Sequence, residues 1–147
     1  MVPVWHLYAL LSASFAALVA IFGKKGLGDL GTLDSTLATT VRAVIMALFL
    51  LAVSLSLGKF KLLSTIQSHA LLFITLSGIA GALSWLFYFL AIQIAPADQV
   101  PAVAALDRLS VVFVLMFAVL FLGDKLTVYS ALGAALLTSG AILMTIK

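Results

Sequence analysis

The sequence predicts an all-α integral membrane protein, and two observations carry that prediction. Of the 147 residues, 65% are hydrophobic and only 9% are charged, against about 25% charged in an average soluble domain. The apolar residues also fall into five stretches, and a crossing needs about 20 residues, so five transmembrane helices nearly exhaust the chain. A soluble fold is excluded, and the work of the protein is expected inside the membrane, with lipid as its surroundings.

Charge and composition narrow the function further. The net charge is +3, but the lysines and arginines are scattered and form no run that could track phosphates, so no nucleic-acid partner is expected. There is no cysteine, hence no disulfide framework and no thiolate site. His6 and His69 flank helices without other ligand types beside them, so neither a metal nor a cofactor is expected. No loop offers a nucleophile, a base and an oxyanion site together, which argues against an enzyme.

The first helix is expected over about 4–22. Trp5, His6 and Tyr8 stand at its start as interfacial anchors. Lys24 and Lys25 follow the apolar run instead of preceding it, the reverse of a cleavable signal, so the helix is expected to stay in the mature protein. Ala9, Ala13, Ala16, Ala17 and Ala20 give it a smooth stripe for close helix approach. The segment Gly26-Leu27-Gly28-Asp29-Leu30-Gly31 matches G-x-G-x-x-G, but a membrane helix precedes it where a nucleotide site needs a strand. Its glycines are read as a flexible turn within a loop from Gly23 to Leu33.

The second helix, about 34–57, can be capped by Asp34 or Ser35. It carries Arg42 roughly 12 Å from its start, close to the middle of a hydrocarbon core about 30 Å thick. After the polar connection Gly58 to Ser68, the third helix (about 69–94) places Ser77, Gly81, Ser84 and Tyr88 on one face at 100° per residue. Such a face either packs tightly or lines a cavity. Trp85 and Tyr88 lie too deep for an interfacial belt and are candidates for ligand contact. Ala95-Pro96 ends this helix.

The fourth helix, about 98–122, has Asp98 as a plausible N-cap and Pro101 in its first turn. Asp107 and Arg108 stand deep in an otherwise apolar run, where charge is costly enough to mark function. The second and fourth helices cross in the same direction, so Arg42 and Asp107 fall at nearly the same depth and can pair. With Ser110, these residues complete the candidate substrate pathway. The fifth helix, about 127–146, carries Ser130, Gly133, Ala134, Leu137, Gly140 and Ala141 on one side.

Arg42, Asp107 and Arg108 sum to +1 at midplane depth. An excess positive charge there belongs in a water-filled cavity or awaits an anionic group, which disfavours a cation exporter. Asp107 either titrates as a coupling site or is held ionised by an arginine. The competing reading is a buried polar lock between the second and fourth helices.

The stretch GALSWLFYFLAIQIAPADQVPAVAALDRLSVVFVLMFAVLFLGDKLT, residues 81–127, resembles the EamA-type domain of the drug/metabolite transporter superfamily. The third helix GALSWLFYFLAI, the proline-containing connector, the LGDKLT where the family shows Leu-Gly-Glu-(Arg/Lys)-Leu, and the glycine-bearing ALGAALLTSGAIL match in order and spacing. Lys25 and Arg42 resemble the family's basic residues after the first helix and within the second. Many ten-helix relatives have a proline about where Val111 stands here, so the chain is similar to the short, single-domain branch. The resemblance implies a secondary transporter with half of an inverted-repeat (5+5) fold in a prokaryotic plasma (inner) membrane. It also implies export of amino acids, metabolites or drugs as the kind of activity.

One half needs another. With five spans the termini lie on opposite faces, which puts Lys59, Lys61 and Lys125 on one side and Lys24, Lys25 and Lys147 on the other. That balance gives no orientation by the positive-inside rule. Dual topology and an antiparallel homodimer are expected, with a separately encoded five-helix half as the alternative partner. The rival from another class is a structural or regulatory membrane subunit that carries nothing and assembles with a larger protein.

Overall fold

In the computed structural model the described residues are 3–28, 34–123 and 125–146, and among them there are six α-helices and no strand. They are α1 Val4–Gly28, α2 Ser35–Ser56, α3 Ser68–Ile94, α4 Val100–Asp107, α5 Ser110–Phe117 and α6 Val128–Leu143. Four stretches are long and apolar enough to cross a membrane: Val4–Leu27, Ser35–Ser56, Ser68–Ile94 and Ala97–Leu122. α6 is apolar but has 16 residues, about 24 Å at 1.5 Å per residue, shorter than an ordinary span.

Apolar side chains dominate the exterior. Only nine described residues are buried, while Phe121, Leu122, Leu136 and Ile94 are exposed by three-quarters or so of their surface. Water would not tolerate an apolar exterior on that scale; lipid does. Hydroxyls on these helices are satisfied locally: Ser14, Thr39, Thr40, Thr75 and Thr138 each donate to the carbonyl four residues earlier, at 2.7–2.9 Å. That bond is the cheapest way to carry a hydroxyl in a medium that offers no partner.

Three sequence expectations are corrected. α1 does not stop near residue 22 but runs to Gly28, because glycine in an apolar helix is tolerated where no water competes for its backbone. Gly26 and Gly28 are therefore helical, not a flexible turn; Asp29, Leu30 and Gly31 of the same motif lie outside the described residues. Asp98 does not cap the fourth helix. It sits within the 3-10 turn Ala97–Gln99, and α4 starts after Gln99 with no side-chain cap bond. The fourth helix is also not continuous: α4 and α5 are separated at Arg108–Leu109, and a π turn, Ala118–Leu122, follows α5.

The chain divides into two compact units. One comprises Lys25–Gln93 and the other Met1–Lys24 with Ile94–Lys147. In the first, α2 ends at Ser56 and leads through Gly58, whose φ of 64° is left-handed and suits glycine, into the 3-10 turn Lys59–Thr65, which folds back on α2. In the second, α6 packs along α4 and α5. Gly123, at φ 70°, closes the π turn. In the same unit Lys24 Nζ donates to the carbonyl of Ala95 at 2.6 Å, just past the end of α3, where helix carbonyls lack intrahelical donors and a cation is favoured.

Candidate functional site

α2 and α3 run antiparallel within their unit and are tied at one end. Asp34 caps α2, its carboxylate accepting from Thr36 N–H at 2.8 Å and Leu37 N–H at 3.3 Å. These bonds hold the Asp34 carboxyl below its ordinary pKa, the Thr36 backbone bond contributing most. Ser35 N–H donates to Gln93 Oε1 at 3.2 Å, and Thr39 Oγ1 to Ser35 O at 2.7 Å. Ser35 thereby pins the first turn of α2 to the last turn of α3.

That tie sets the register of what lies deeper. Arg42 is seven residues on from Ser35, and Trp85 is eight back from Gln93, so both sit about 11–12 Å from the tie along their helices. They meet: Arg42 Cζ lies 3.6 Å from the Trp85 ring centroid and 5.4 Å from that of Phe89. Trp85 in turn meets Tyr88 edge to face at 5.6 Å and Phe89 at 5.9 Å. Arg42, Trp85 and Tyr88 are half-buried and Phe89 is buried. The rings receive the cation through their negative faces. They neither neutralise its charge nor occupy the planar fork of donors with which a guanidinium binds carboxylate or phosphate.

Ser77, Gly81 and Ser84 lie on α3 beside this cluster, on the face that Tyr88 continues. Ser77 and Ser84 are exposed, and a Cβ at Gly81 would meet no atom within 4 Å. The small and polar face is thus not tightly packed within its unit. Asp107, Arg108 and Ser110 belong to the other unit. All three are exposed, at the place where α4 gives way to α5. Lys125 is exposed as well, and Asp124 lies outside the described residues.

Sequence reasoning missed Phe89 and Gln93. Phe89 stands four residues after Trp85, so a guanidinium reaching one ring can reach the other on the same helical ridge; that spacing was a usable signal. Gln93 had no such signal, because a lone glutamine near a helix end reads as surface.

Within their unit, α2 and α3 thus bring the Arg42 guanidinium onto the ring of Trp85. The EamA-like transporter family model matches residues 3–146, nearly the whole chain. The chain belongs to the EamA-like transporter family. It is 41% identical over 142 residues to a Sinorhizobium protein described as "Uncharacterized transporter in cobO 3'region", covering 97% of this chain and 96% of that protein. No solved structure matches. Family membership and that relative identify an integral membrane protein of the drug/metabolite transporter superfamily and not an enzyme.

Proposed function

We propose that this EamA-family chain is one half of a secondary transporter that exports small polar or anionic metabolites across a prokaryotic inner membrane. The observation that supports this reading is the Arg42 cluster. Helices α2 and α3 contain no acidic residue, so the Arg42 charge meets the Trp85 and Phe89 ring faces and no carboxylate of either helix. An arginine held in that way at mid-depth keeps its fork available for a carboxylate or phosphate group that arrives and leaves. Ser77, Gly81 and Ser84 supply an adjoining open strip with hydroxyls for the rest of such a molecule. A hydrophobic cation finds no counter-charge there.

The second half is supplied by another chain. A fifth crossing by α6 leaves the lysines three against three on the two sides, which favours insertion in both orientations and an antiparallel homodimer around a shared central site. A ligand screen by thermal shift on the purified protein tests the substrate class. Carboxylated or phosphorylated metabolites should raise the melting temperature of the wild type and leave Arg42→Leu unmoved. Hits confined to quaternary-ammonium compounds, or equal shifts in Arg42→Leu, would remove the anion reading.

A further inference from the structure

We propose that Asp107 and Arg108 form a reciprocal pair of ion contacts between two copies of this chain, at the point where α4 gives way to α5. The inference rests on the homodimer proposed above and adds the face that joins it.

The two residues lie eleventh and twelfth in the 26-residue span Ala97–Leu122, about 15 Å along a stretch of roughly 39 Å. Both are exposed. The backbone beneath them is irregular as well. Arg108 N–H bonds to Ala105 O at 3.1 Å, Leu109 N–H to Leu106 O at 3.0 Å and Val112 N–H to Leu109 O at 2.9 Å, all one residue tighter than α-helical. Hydrocarbon supplies neither counter-charge nor hydrogen bond, so a charged side-chain pair over a tightened turn at this depth has to be covered by protein or line water. Headgroups are a leaflet away, and an aspartate is too short to reach them.

The order of the charges points to the covering partner. An acid and a base on consecutive positions are self-complementary under a two-fold axis. Asp107 then faces Arg108 of the partner subunit, and Arg108 faces Asp107 of the partner subunit. A two-fold axis lying in the membrane plane keeps mid-span residues of two oppositely inserted chains at one depth, which the antiparallel arrangement requires. Beside the pair, within the same unit, is an open cleft of about 580 Å³ lined by Ala105, Arg108, Leu136, Leu137, Gly140 and Ala141. Its floor is mostly apolar, and a Cβ at Gly140 would meet no atom within 4 Å, so it can seat apolar side chains of the second copy. A dry rim of that kind strengthens the ion pairs it surrounds.

The test uses two differently tagged copies of the full chain, co-expressed and recovered by pull-down from membranes, with cross-linking through Ala105→Cys in the otherwise cysteine-free protein. Wild-type copies should recover each other, and copies carrying Ala105→Cys on the otherwise unchanged chain should cross-link. Asp107→Arg alone and Arg108→Asp alone should each lose self-association by about tenfold or more, with Asp107→Asn a milder loss that spares insertion. Co-expressing the two charge-reversed chains should restore pairing between them, and the double swap Asp107→Arg/Arg108→Asp should restore self-pairing. Single variants that still self-associate like the wild type would overturn the proposal, placing these charges within one chain. So would losses that neither mixing nor the double swap repairs. A monomeric wild type would instead remove the homodimer itself, while leaving the Arg42 ligand screen to stand or fall on its own.

Discussion

Arg42 and Arg108 carry the same charge at similar depth in their helices, yet their surroundings have little in common. Arg42 lies on a regular helix, half-buried on two aromatic rings, with no acidic residue on either helix of the corner. Arg108 is exposed, follows an aspartate and sits on a turn where the helix bonding tightens. The first environment lowers the cost of a cation without cancelling its charge, which suits a group that must bind and release an anion. The second holds equal and opposite charges side by side with nothing over them, which suits a permanent partner of the same pattern. Charge at mid-depth in a membrane chain is thus two different signals, separated by whether the neighbours are rings or an opposite charge.

Removing the rings is the most direct way to break that contrast. Trp85→Ala should leave Arg42 without its main support and weaken anion binding roughly two- to thirtyfold, the range that a cation–π contact of about 0.5–2 kcal/mol sets. Trp85→Phe should recover most of it. Titration of the best ligand from the thermal-shift screen measures both, and equal affinity in Trp85→Ala and wild type would mean that the rings do not hold the arginine for binding.

A smaller effect is expected at the tie that sets the register of α2 against α3. Asp34→Ala removes two cap bonds and should lower the melting temperature slightly, with Asp34→Asn close to the wild type because asparagine also caps. The Asp34 carboxyl is held below its ordinary pKa by those bonds, so the folded state prefers the ionised form. Its contribution is therefore fully present above the ordinary carboxylate range near pH 4, and it is lost as pH falls through the lowered folded value. The gap between wild type and Asp34→Ala should accordingly persist at neutral pH and close in acid. A gap unchanged in acid would assign the effect to helix propensity alone.

Much of the fold was legible because lipid simplifies the code. Length and apolarity alone placed α2 and α3 to within a residue or two; of the two cap candidates Asp34 and Ser35 it is Asp34 that caps α2, and α3 stops just before Ala95-Pro96. The same simplicity misled at Gly23–Gly28, where glycines that would end a helix in water continue one. The interruption at Arg108–Leu109 was invisible because no proline or glycine stands between Ala102 and Leu122; only Asp107 and Ser110, poor helix formers on either side, hint at it. At the candidate site, depth counting found Arg42, Trp85 and Tyr88 singly. Their meeting depended on the Ser35–Gln93 register, a long-range hydrogen bond that no periodicity encodes.

If Arg42 accepts anions as proposed, position 42 faces a water-reached pocket. Because the chain has no cysteine, Arg42→Cys gives a single thiol whose reaction with a membrane-impermeant reagent in right-side-out and inverted vesicles reads that directly. Modification from the aqueous phase is expected, faster with a negatively charged reagent after Arg42→Cys is paired with a nearby lysine at Ser84 (Ser84→Lys) than without it. A thiol at position 42 that stays unmodified from both sides, in protein that inserts normally, would show a dry position and remove Arg42 from anion binding.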